Sequence, residues 1–283
     1  MNRLGILAGS GDLPVLAAQE ARRRQWQVVV VAVTGRPAAD FSAVADRVYS
    51  LPFGRLQAAL DSLQAEGVRD VLMLGKVEKA WLYQPGADMD AAGRQLLAAA
   101  RDRRDDSLLG AAVQWLESQG LRVWGQAQLM PDLLAQSGCY TRRQPTRAEW
   151  ADVAFGLWIA RQIAGLDIGQ TVVVCRQAVM AVEAIEGTDA CILRGGSLAG
   201  GGAVVAKVAK PHQDLRFDMP TVGPQTIRSM VQAGARVLAM EAGRTLFLGR
   251  AEALALADQQ GIAVVAVEGM ESGGVVTAGE AGL

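Results

Sequence analysis

The chain has 283 residues, of which 51% are hydrophobic and 20% are charged, and its formal net charge is -1. This length allows two domains with a core each, and the near-zero charge predicts no nucleic-acid partner. No apolar run reaches the roughly 18 to 20 residues of a membrane span, and no secretory signal is evident, so we expect a cytoplasmic protein. Three scattered cysteines and one histidine argue against a zinc site, so any metal would be a hard cation on oxygen ligands.

Residues 1–130 are predicted to form a Rossmann-like domain with a parallel sheet. Continuous aliphatic and β-branched runs are typical of parallel strands that are covered on both faces. Such runs occur at residues 4–8 and 28–33, and further strands are predicted at residues 46–51, 68–74 and 122–124. Helical patterns span residues 14–24, 54–66 and 94–120, the last predicted to break around residues 101–107.

The turn after the first strand, Gly9–Asp12, is a candidate phosphate-binding turn. It matches only part of the dinucleotide fingerprint, because Pro14 replaces the third glycine or alanine and no acidic residue ends the second strand. We therefore expect a turn that binds a mononucleotide or phosphate, or one that is only structural, and we disfavour a nicotinamide-dependent oxidoreductase. Lys76 follows another strand at its carboxyl end, where open α/β sheets bind ligands.

Residues 131–145 show no regular hydrophobic periodicity and are predicted to be a linker. Residues 146–283 are then predicted to form a second α/β domain. We expect the substrate to lie in a cleft between the two domains. Residues 197–202, SLAGGG, are predicted to be a flexible connection. The predicted strands of this domain are residues 171–175, 178–182, 203–208, 236–241, 245–248 and 262–267, and its helices are residues 146–163, 224–233 and 250–260.

The segment Lys207–Gly223 is the most strongly charged candidate site in the second domain. It holds two of the four lysines of a chain whose other basic residues are all arginine, together with Arg216, Asp214 and Asp218. Clustered ammonium, guanidinium and carboxylate groups can hold an anionic substrate, a divalent cation or both. A solvated loop with ordinary surface charge is the alternative. His212 is expected to be a surface residue.

Five motifs in order along the chain carry a resemblance to one family. They are LGILAGSGDLP from residue 4, LDIGQTVVV from residue 166, EGTDA from residue 186, KPHQDLRFDMPTVGPQTI from residue 210 and EAGRT from residue 241. Together they resemble the UDP-2,3-diacylglucosamine pyrophosphatases of lipid A biosynthesis, in the two-domain form distinct from the calcineurin-like phosphoesterases. The resemblance implies a Mg²⁺-dependent enzyme, with Mn²⁺ as an alternative ion, that hydrolyses a UDP-linked diacylated glucosamine lipid to UMP and 2,3-diacylglucosamine 1-phosphate. It also implies that water attacks the α-phosphorus and that the enzyme meets its substrate at the inner-membrane surface.

The resemblance also implies roles for individual residues. Asp218, in an RxDxP motif, is the implied functional carboxylate, and Asp214 is a second candidate; either could act as base or metal ligand. Asp105 and Asp106 match an acidic pair of the family and are candidate metal ligands with Asp218, although a solvated helix face is the alternative. Lys76 departs from the pattern, because relatives can carry a neutral polar residue there. Substrate contacts are expected from Gly9, Ser10, Gly11, Lys76, Thr188, Asp189, Lys207, Lys210, Gln213, Arg216, Thr221, Glu241 and Arg244.

A non-catalytic regulator that binds a nucleotide or phospholipid is the alternative to an enzyme, since a fold of this type does not specify catalysis. Release of UMP from the UDP lipid distinguishes the two. The acyl tails need an apolar wall, for which Trp81, Leu82 and Tyr83 are available, although ordinary packing is the commoner role of such a run. A homodimer is compatible with the sequence but is not specified by it.

Overall fold

The computed structural model describes residues 2–34, 40–75, 77, 88–100, 105–211, 214, 216–217 and 219–268. The chain folds into two compact units. The first unit contains the chain up to Pro131 and also Asp214, Arg216 and Phe217, which come from much later in the sequence. The second unit starts at Asp132 and contains the other described residues. Among the helices of the described ranges, none has both the length and the apolar character of a membrane span.

The first unit is built on a parallel sheet. Its strands are β1 (Arg3–Ala8), β2 (Gln27–Ala32), β3 (Arg47–Ser50), β4 (Asp70–Leu74) and β5 (Arg122–Val123). Their order is β3-β2-β1-β4-β5, and every neighbouring pair is parallel. The chain therefore builds outward from β1 in both directions, which is the Rossmann-like arrangement predicted from the sequence.

Helices pack on this sheet and complete its hydrophobic core. Leu60, Leu63, Val113 and Leu116 form one buried cluster with strand valines, and Phe217 also belongs to it. Because full burial of such a side chain contributes about 1.5–3 kcal/mol, this cluster is a major source of the unit's stability. The helices are α1 (Leu13–Arg23), α2 (Leu56–Ala65), α3 (Ala91–Ala99), α4 (Asp105–Ser118) and α5 (Gln126–Leu129).

The second unit is built on a mixed sheet and a separate short strand pair. Its strands are β6 (Gly138–Cys139), β7 (Thr171–Cys175), β8 (Ala178–Val182), β9 (Val204–Lys207), β10 (Thr221–Val222), β11 (Val237–Glu241), β12 (Leu246–Phe247) and β13 (Ala263–Val267). The sheet order is β6-β13-β11-β9-β7-β8. Strands β9, β11 and β13 are parallel, whereas β6 and β7 run antiparallel to their neighbours, and β10 pairs with β12.

Helices cover both faces of this sheet. They are α6 (Arg147–Gly165), α7 (Thr188–Ala199), α8 (Pro224–Ala233) and α9 (Arg250–Gln260). Leu157 of α6 packs on one face with Val204 and Val237, whereas the opposite face carries Ile192 and Ile227 from α7 and α8. Alternate residues of the parallel strands thus enter two different cores, which explains why these strands are apolar throughout.

Residues 131–145, predicted to be a linker, contain folded parts of the second unit. They include a 3₁₀ helix, Pro131–Leu133, and the edge strand β6. Ala135 is fully buried, and the ring of Tyr140 packs edge-on against Phe247 at a centroid distance of 5.6 Å. The stretch predicted to be a linker therefore contains regular elements and buried side chains. A strand this short has too few residues to show a hydrophobic period in the sequence.

Helix α7 is absent from the sequence prediction because two adjacent glycines normally disfavour a helix interior. The structure shows that both permit close packing. A Cβ on Gly195 would lie 2.5 Å from the Cβ of Val173, and one on Gly196 would collide with the backbone of Ala233. The predicted flexible connection at residues 197–202 is accordingly helical as far as Ala199.

Candidate functional site

The carboxyl ends of β1 and β4 meet where the strand order of the first sheet reverses. Gly9 follows β1 and donates its backbone N–H to the carbonyl of Leu74 over 2.7 Å. Gly75 approaches the same turn so closely that a Cβ there would lie 2.6 Å from the carbonyl oxygen of Ser10. Gly11 and Gly75 have φ angles of +99° and +86°, which favour glycine. The fold therefore brings the glycine turn and the end of β4 together at the usual ligand-binding position of such sheets.

Helix α1 begins directly after this turn. Its first turn contains Pro14, and the side chain of Asp12 makes no capping hydrogen bond. The partial positive charge of a helix N-terminus favours an anion at this position. This geometry suits a phosphate, and it agrees equally with a purely structural turn.

A second set of polar residues lies at the carboxyl end of the parallel strands of the second sheet. Lys207 ends β9, Glu241 ends the neighbouring β11, and Lys210 follows β9 three residues on. Ligands of open α/β sheets bind at this edge. We call these residues and the side chains paired with them the strand-end cluster: Arg161, Asp167, Glu183, Thr188, Lys207, Lys210 and Glu241.

Lys207 is held in this cluster with only 7% of its surface exposed. Its ammonium donates to the hydroxyl of Thr188 over 2.8 Å, and that hydroxyl donates to the carboxylate of Glu183 over 2.9 Å. A buried ammonium is unfavourable unless other groups compensate it. A lysine kept in such a position at the ligand-binding edge is a strong candidate for an anion-binding group.

Lys210 and Arg244, both predicted to bind the substrate, lie next to each other. The Lys210 ammonium forms a 2.7 Å ion pair with Asp167, and the lysine is 9% exposed. Arg244 donates from Nη2 to the backbone carbonyl of Lys210 over 2.9 Å. Its buried Nε has no hydrogen-bond partner among the described residues. The guanidinium thus fixes the backbone beside Lys210 and keeps one donor unused there.

Arg161 completes the cluster and is not among the residues predicted from the sequence. Its Nε and Nη2 donate to Oε1 of Glu241 over 2.9 and 2.8 Å. The sequence does contain an indication of a paired charge here. Arg161 lies four residues after Leu157, on the buried stripe of α6, and a charged side chain on such a stripe needs a partner of opposite charge. The identity of that partner, 80 residues away, follows only from the fold.

Asp189 and Thr221 have local contacts in the second unit. Asp189 accepts a hydrogen bond from the hydroxyl of Ser229 over 2.9 Å. The hydroxyl of Thr221 donates to the carbonyl of Met219 over 3.1 Å. These bonds tie α7 to α8 and stabilise the entry to β10, and the substrate contacts of both residues stay predictions.

Asp214 and Arg216 bind each other in the first unit. The guanidinium donates to both carboxylate oxygens of Asp214 over 2.7–3.0 Å, and its Nη1 forms a 2.7 Å ion pair with Glu117 of α4. The hydrogen bonds from Arg216 hold the pKa of Asp214 below its usual value. These bonds favour the charged form of Asp214, and its catalytic role stays a prediction. Glu117 has no signal in the sequence, since it lies 99 residues from Arg216.

Phe217 anchors this segment in the core of the first unit, with 3% of its surface exposed. We expect Phe217→Ala to lower the free energy of unfolding by about 3–5 kcal/mol, because it removes a buried aromatic side chain. Chemical denaturation of the full chain measures this loss. Ile185→Ala, at a position that is 98% exposed, should have almost no effect. Equal stability of the two variants would contradict the anchoring role.

Several predicted residues lie outside the described part of the chain. They are Lys76, Gln213 and Asp218, and also the side chains of Asp105 and Asp106 in the first turn of α4. Among the residues that the structure does describe, no group of three or more His, Cys, Asp and Glu side chains could hold a metal ion. Cys191 is not a candidate nucleophile, because burial raises the pKa of its thiol to about 12.

A Rossmann-like unit with a glycine turn and a mixed α/β unit with buried lysines at its sheet edge define a two-unit α/β protein. The chain belongs to the LpxI family: the LpxI N-terminal domain matches residues 3–133, and the LpxI C-terminal domain matches residues 136–265. One relative, the UDP-2,3-diacylglucosamine pyrophosphatase LpxI of Caulobacter vibrioides, is 35% identical over 96% of this chain and 99% of its own length.

Similarity to solved structures is weaker. CobK precorrin-6A reductase has a TM-score of 0.32 and 13% identity, with 97% of this chain and 90% of that chain covered. An ADP complex of N5-carboxyaminoimidazole ribonucleotide synthetase has a TM-score of 0.29 and 17% identity, with 61% of this chain and 32% of that chain covered. Scores this low carry no functional information.

Proposed function

We propose that this protein hydrolyses the pyrophosphate bond of UDP-2,3-diacylglucosamine to UMP and 2,3-diacylglucosamine 1-phosphate, a step of lipid A biosynthesis. The observation that carries the proposal is the 35% identity to the Caulobacter vibrioides pyrophosphatase over 96% of the chain. Matches to both family domains support it further, because the whole two-unit architecture is shared. Since the substrate is a lipid, the proposed place of action is the inner-membrane surface.

Lys207 and Lys210 are the proposed ligands of the substrate's phosphate oxygens. Both lie at the carboxyl edge of the second sheet, and both are at most 9% exposed. An ammonium binds a phosphate more strongly where water is excluded, because the effective dielectric constant is lower than in bulk water. The turn Gly9–Gly11 is proposed to offer backbone N–H groups to a phosphate oxygen of the nucleotide.

Asp218 is the proposed catalytic carboxylate, and Asp214 is assigned a structural role. Asp214 accepts hydrogen bonds from Arg216 through both oxygens, which stabilises its charged form and weakens it as a base. Asp218 then remains as the acid of the RxDxP motif that can orient or deprotonate the attacking water. The attack is proposed to occur at the α-phosphorus.

Mg²⁺, with Mn²⁺ as a substitute, is the proposed ion of this enzyme. The proposed ligands are Asp105, Asp106 and Asp218, which match the acidic pair and the RxDxP motif of the family. Carboxylate oxygens are the side-chain ligands that Mg²⁺ prefers. When bound, the ion would neutralise negative charge on the pyrophosphate.

Incubation with UDP-2,3-diacylglucosamine and Mg²⁺ tests the proposed function. We expect UMP and 2,3-diacylglucosamine 1-phosphate in equal amounts. In H₂¹⁸O the label should enter UMP, because attack at the α-phosphorus leaves the bridging oxygen with the sugar phosphate. Label in the sugar phosphate would instead show attack at the β-phosphorus. Binding of the lipid without release of UMP would favour a regulatory protein.

Replacement of Lys207 by methionine should lower kcat/KM by about tenfold to a hundredfold, because it removes one charge-assisted hydrogen bond to phosphate while it keeps the apolar stem. Initial rates of UMP release measure the effect. Arg142→Met is the matched control, since the Arg142 side chain is 92% exposed and forms a surface ion pair. An unchanged kcat/KM in Lys207→Met would argue against phosphate binding by this lysine.

A further inference from the structure

Glu241 is a buried carboxylate whose oxygens are both engaged by the protein. It ends β11 and is 3% exposed. Oε1 accepts two hydrogen bonds from Arg161, and Oε2 accepts one from the backbone N–H of Ala209 over 2.8 Å. These contacts account for the carboxylate without any substrate, so the geometry does not favour the direct contact that the sequence predicts.

The bond to Ala209 lies where the backbone leaves the sheet. The ladder between β9 and β11 ends at the pair Lys207 and Met240. Beyond it, Val208 donates its N–H to the carbonyl of Gln170, over 3.0 Å, on the other side of β9. Ala209 has no strand carbonyl opposite it in that ladder, and the Glu241 side chain accepts its N–H instead. The carboxylate therefore sets the direction in which the chain leaves β9.

This direction decides where two lysines point. Lys207 lies two residues before Ala209, and Lys210 lies directly after it. The Lys210 backbone carbonyl is held by Arg244 over 2.9 Å, and its ammonium by Asp167 over 2.7 Å. A shift of the backbone at Ala209 would displace the ammonium of Lys210 most directly, and misplacement by about 1 Å can lower a rate a hundredfold.

We propose that Arg161 and Glu241 are positioning residues, which act through the backbone of Ala209 to place the ammonium groups of Lys207 and Lys210. Arg161 holds the Glu241 carboxylate in its orientation and balances its charge, and Glu241 fixes the exit of β9. The functional part of this inference rests on the proposed pyrophosphatase activity. The structural part concerns only the hydrogen bond to Ala209.

Glu241→Gln and Arg161→Met test the pair in the full-length protein. A glutamine that accepts from Arg161 presents its NH₂ group to the Ala209 N–H, so that bond is lost. We expect each variant to lower kcat/KM by about tenfold to a hundredfold, mainly through kcat, and the double variant to be no worse than the more damaged single one. Additive losses, or a single variant with unchanged kcat/KM, would overturn the proposal.

Arg143→Met is the matched control for an effect on stability alone. Arg143 pairs with Glu149 over 2.6 Å at the other end of α6, and both side chains are at most 28% exposed. This variant should lower the melting temperature without changing kcat. Arg161→Lys keeps the charge and should restore part of the lost rate. A loss of kcat in the Arg143 variant as large as in the Arg161 variant would show that helix destabilisation explains both.

Hydrogen exchange measures the structural part independently of turnover. In Glu241→Gln, peptides that cover residues 204–211 should contain an amide that exchanges about tenfold faster or more than in the unchanged protein. Unaltered exchange there would reject the positioning role even if the enzyme is active. If the unchanged protein releases no UMP while exchange at this segment responds to Glu241→Gln, the proposed activity fails and the structural role of the pair stands.

Discussion

Asp218→Ala should lower kcat by about a thousandfold or more, the equivalent of several kcal/mol of lost transition-state stabilisation. The reason is that the substitution removes the only carboxylate of the RxDxP motif, which is proposed to act on water or to bind the metal. UMP release under saturating substrate measures kcat, and thermal unfolding shows whether the fold persists. We expect the melting temperature to change little, because the buried anchor of this segment is the adjacent Phe217.

Asp214→Asn is the matched control for this prediction. Asp214 has the same chemistry and lies four residues earlier, but its carboxylate is bound by Arg216. The asparagine variant should keep kcat within about tenfold of the unchanged enzyme, since the change acts only through the ion pair. A near-normal kcat in Asp218→Ala would remove Asp218 from the reaction. A thousandfold loss in Asp214→Asn would reassign the carboxylate role to that residue.

Except for the two-residue strands β6 and β10, the strands were predictable from the sequence because their apolar runs are bounded by turn residues. Strands β7 and β8 and helices α8 and α9 occupy the predicted residues. Helix α7 was not predictable, since the close approach of Val173 and Ala233 that gives Gly195 and Gly196 a packing role is visible only in three dimensions. Local propensity therefore failed where tertiary packing determined the residue type.

The candidate site was predictable as a set of residue types, but their pairing was not. Charge clustering and strand-end positions indicate Lys207, Lys210 and Glu241. The partners Arg161 and Glu117 lie 80 and 99 residues away from the groups they bind. Such distances leave no local pattern, because only the fold brings the two side chains together. The same limit applies to the cleft between the domains, which stays a prediction.

The position of Phe217 also shows why domain boundaries in sequence and in structure can differ. Residues 214–217 fall inside the segment matched by the LpxI C-terminal domain, residues 136–265. In the structure, Asp214, Arg216 and Phe217 belong to the first unit. The residue next to Phe217 is the proposed catalytic carboxylate. Phe217 packs in the core of the Rossmann-like unit and thus joins this part of the chain to that unit.

The charge balance of the strand-end cluster bears on the proposed metal. Lys210 faces Asp167, and Arg161 faces Glu241, so both cations are already offset by carboxylates. A pyrophosphate diester carries two negative charges at neutral pH, and the transition state places further charge on its oxygens. Side chains that are already paired leave little net positive charge to balance it. A divalent cation supplies that charge in a compact form.

Removal of divalent cations should therefore abolish UMP release, by about a thousandfold or more, since no described side-chain group replaces the charge. The measurement is the initial rate after incubation with EDTA, followed by addition of Mg²⁺ or Mn²⁺, either of which should restore it. Asp106→Asn should raise the Mg²⁺ concentration for half-maximal rate, whereas Asp61→Asn on the exposed face of α2 should not. Full activity in EDTA, or recovery with Zn²⁺ alone, would contradict a hard cation on oxygen ligands.

The thermal stability of the protein in EDTA should stay unchanged, because the cores of both units consist of apolar side chains that do not depend on an ion.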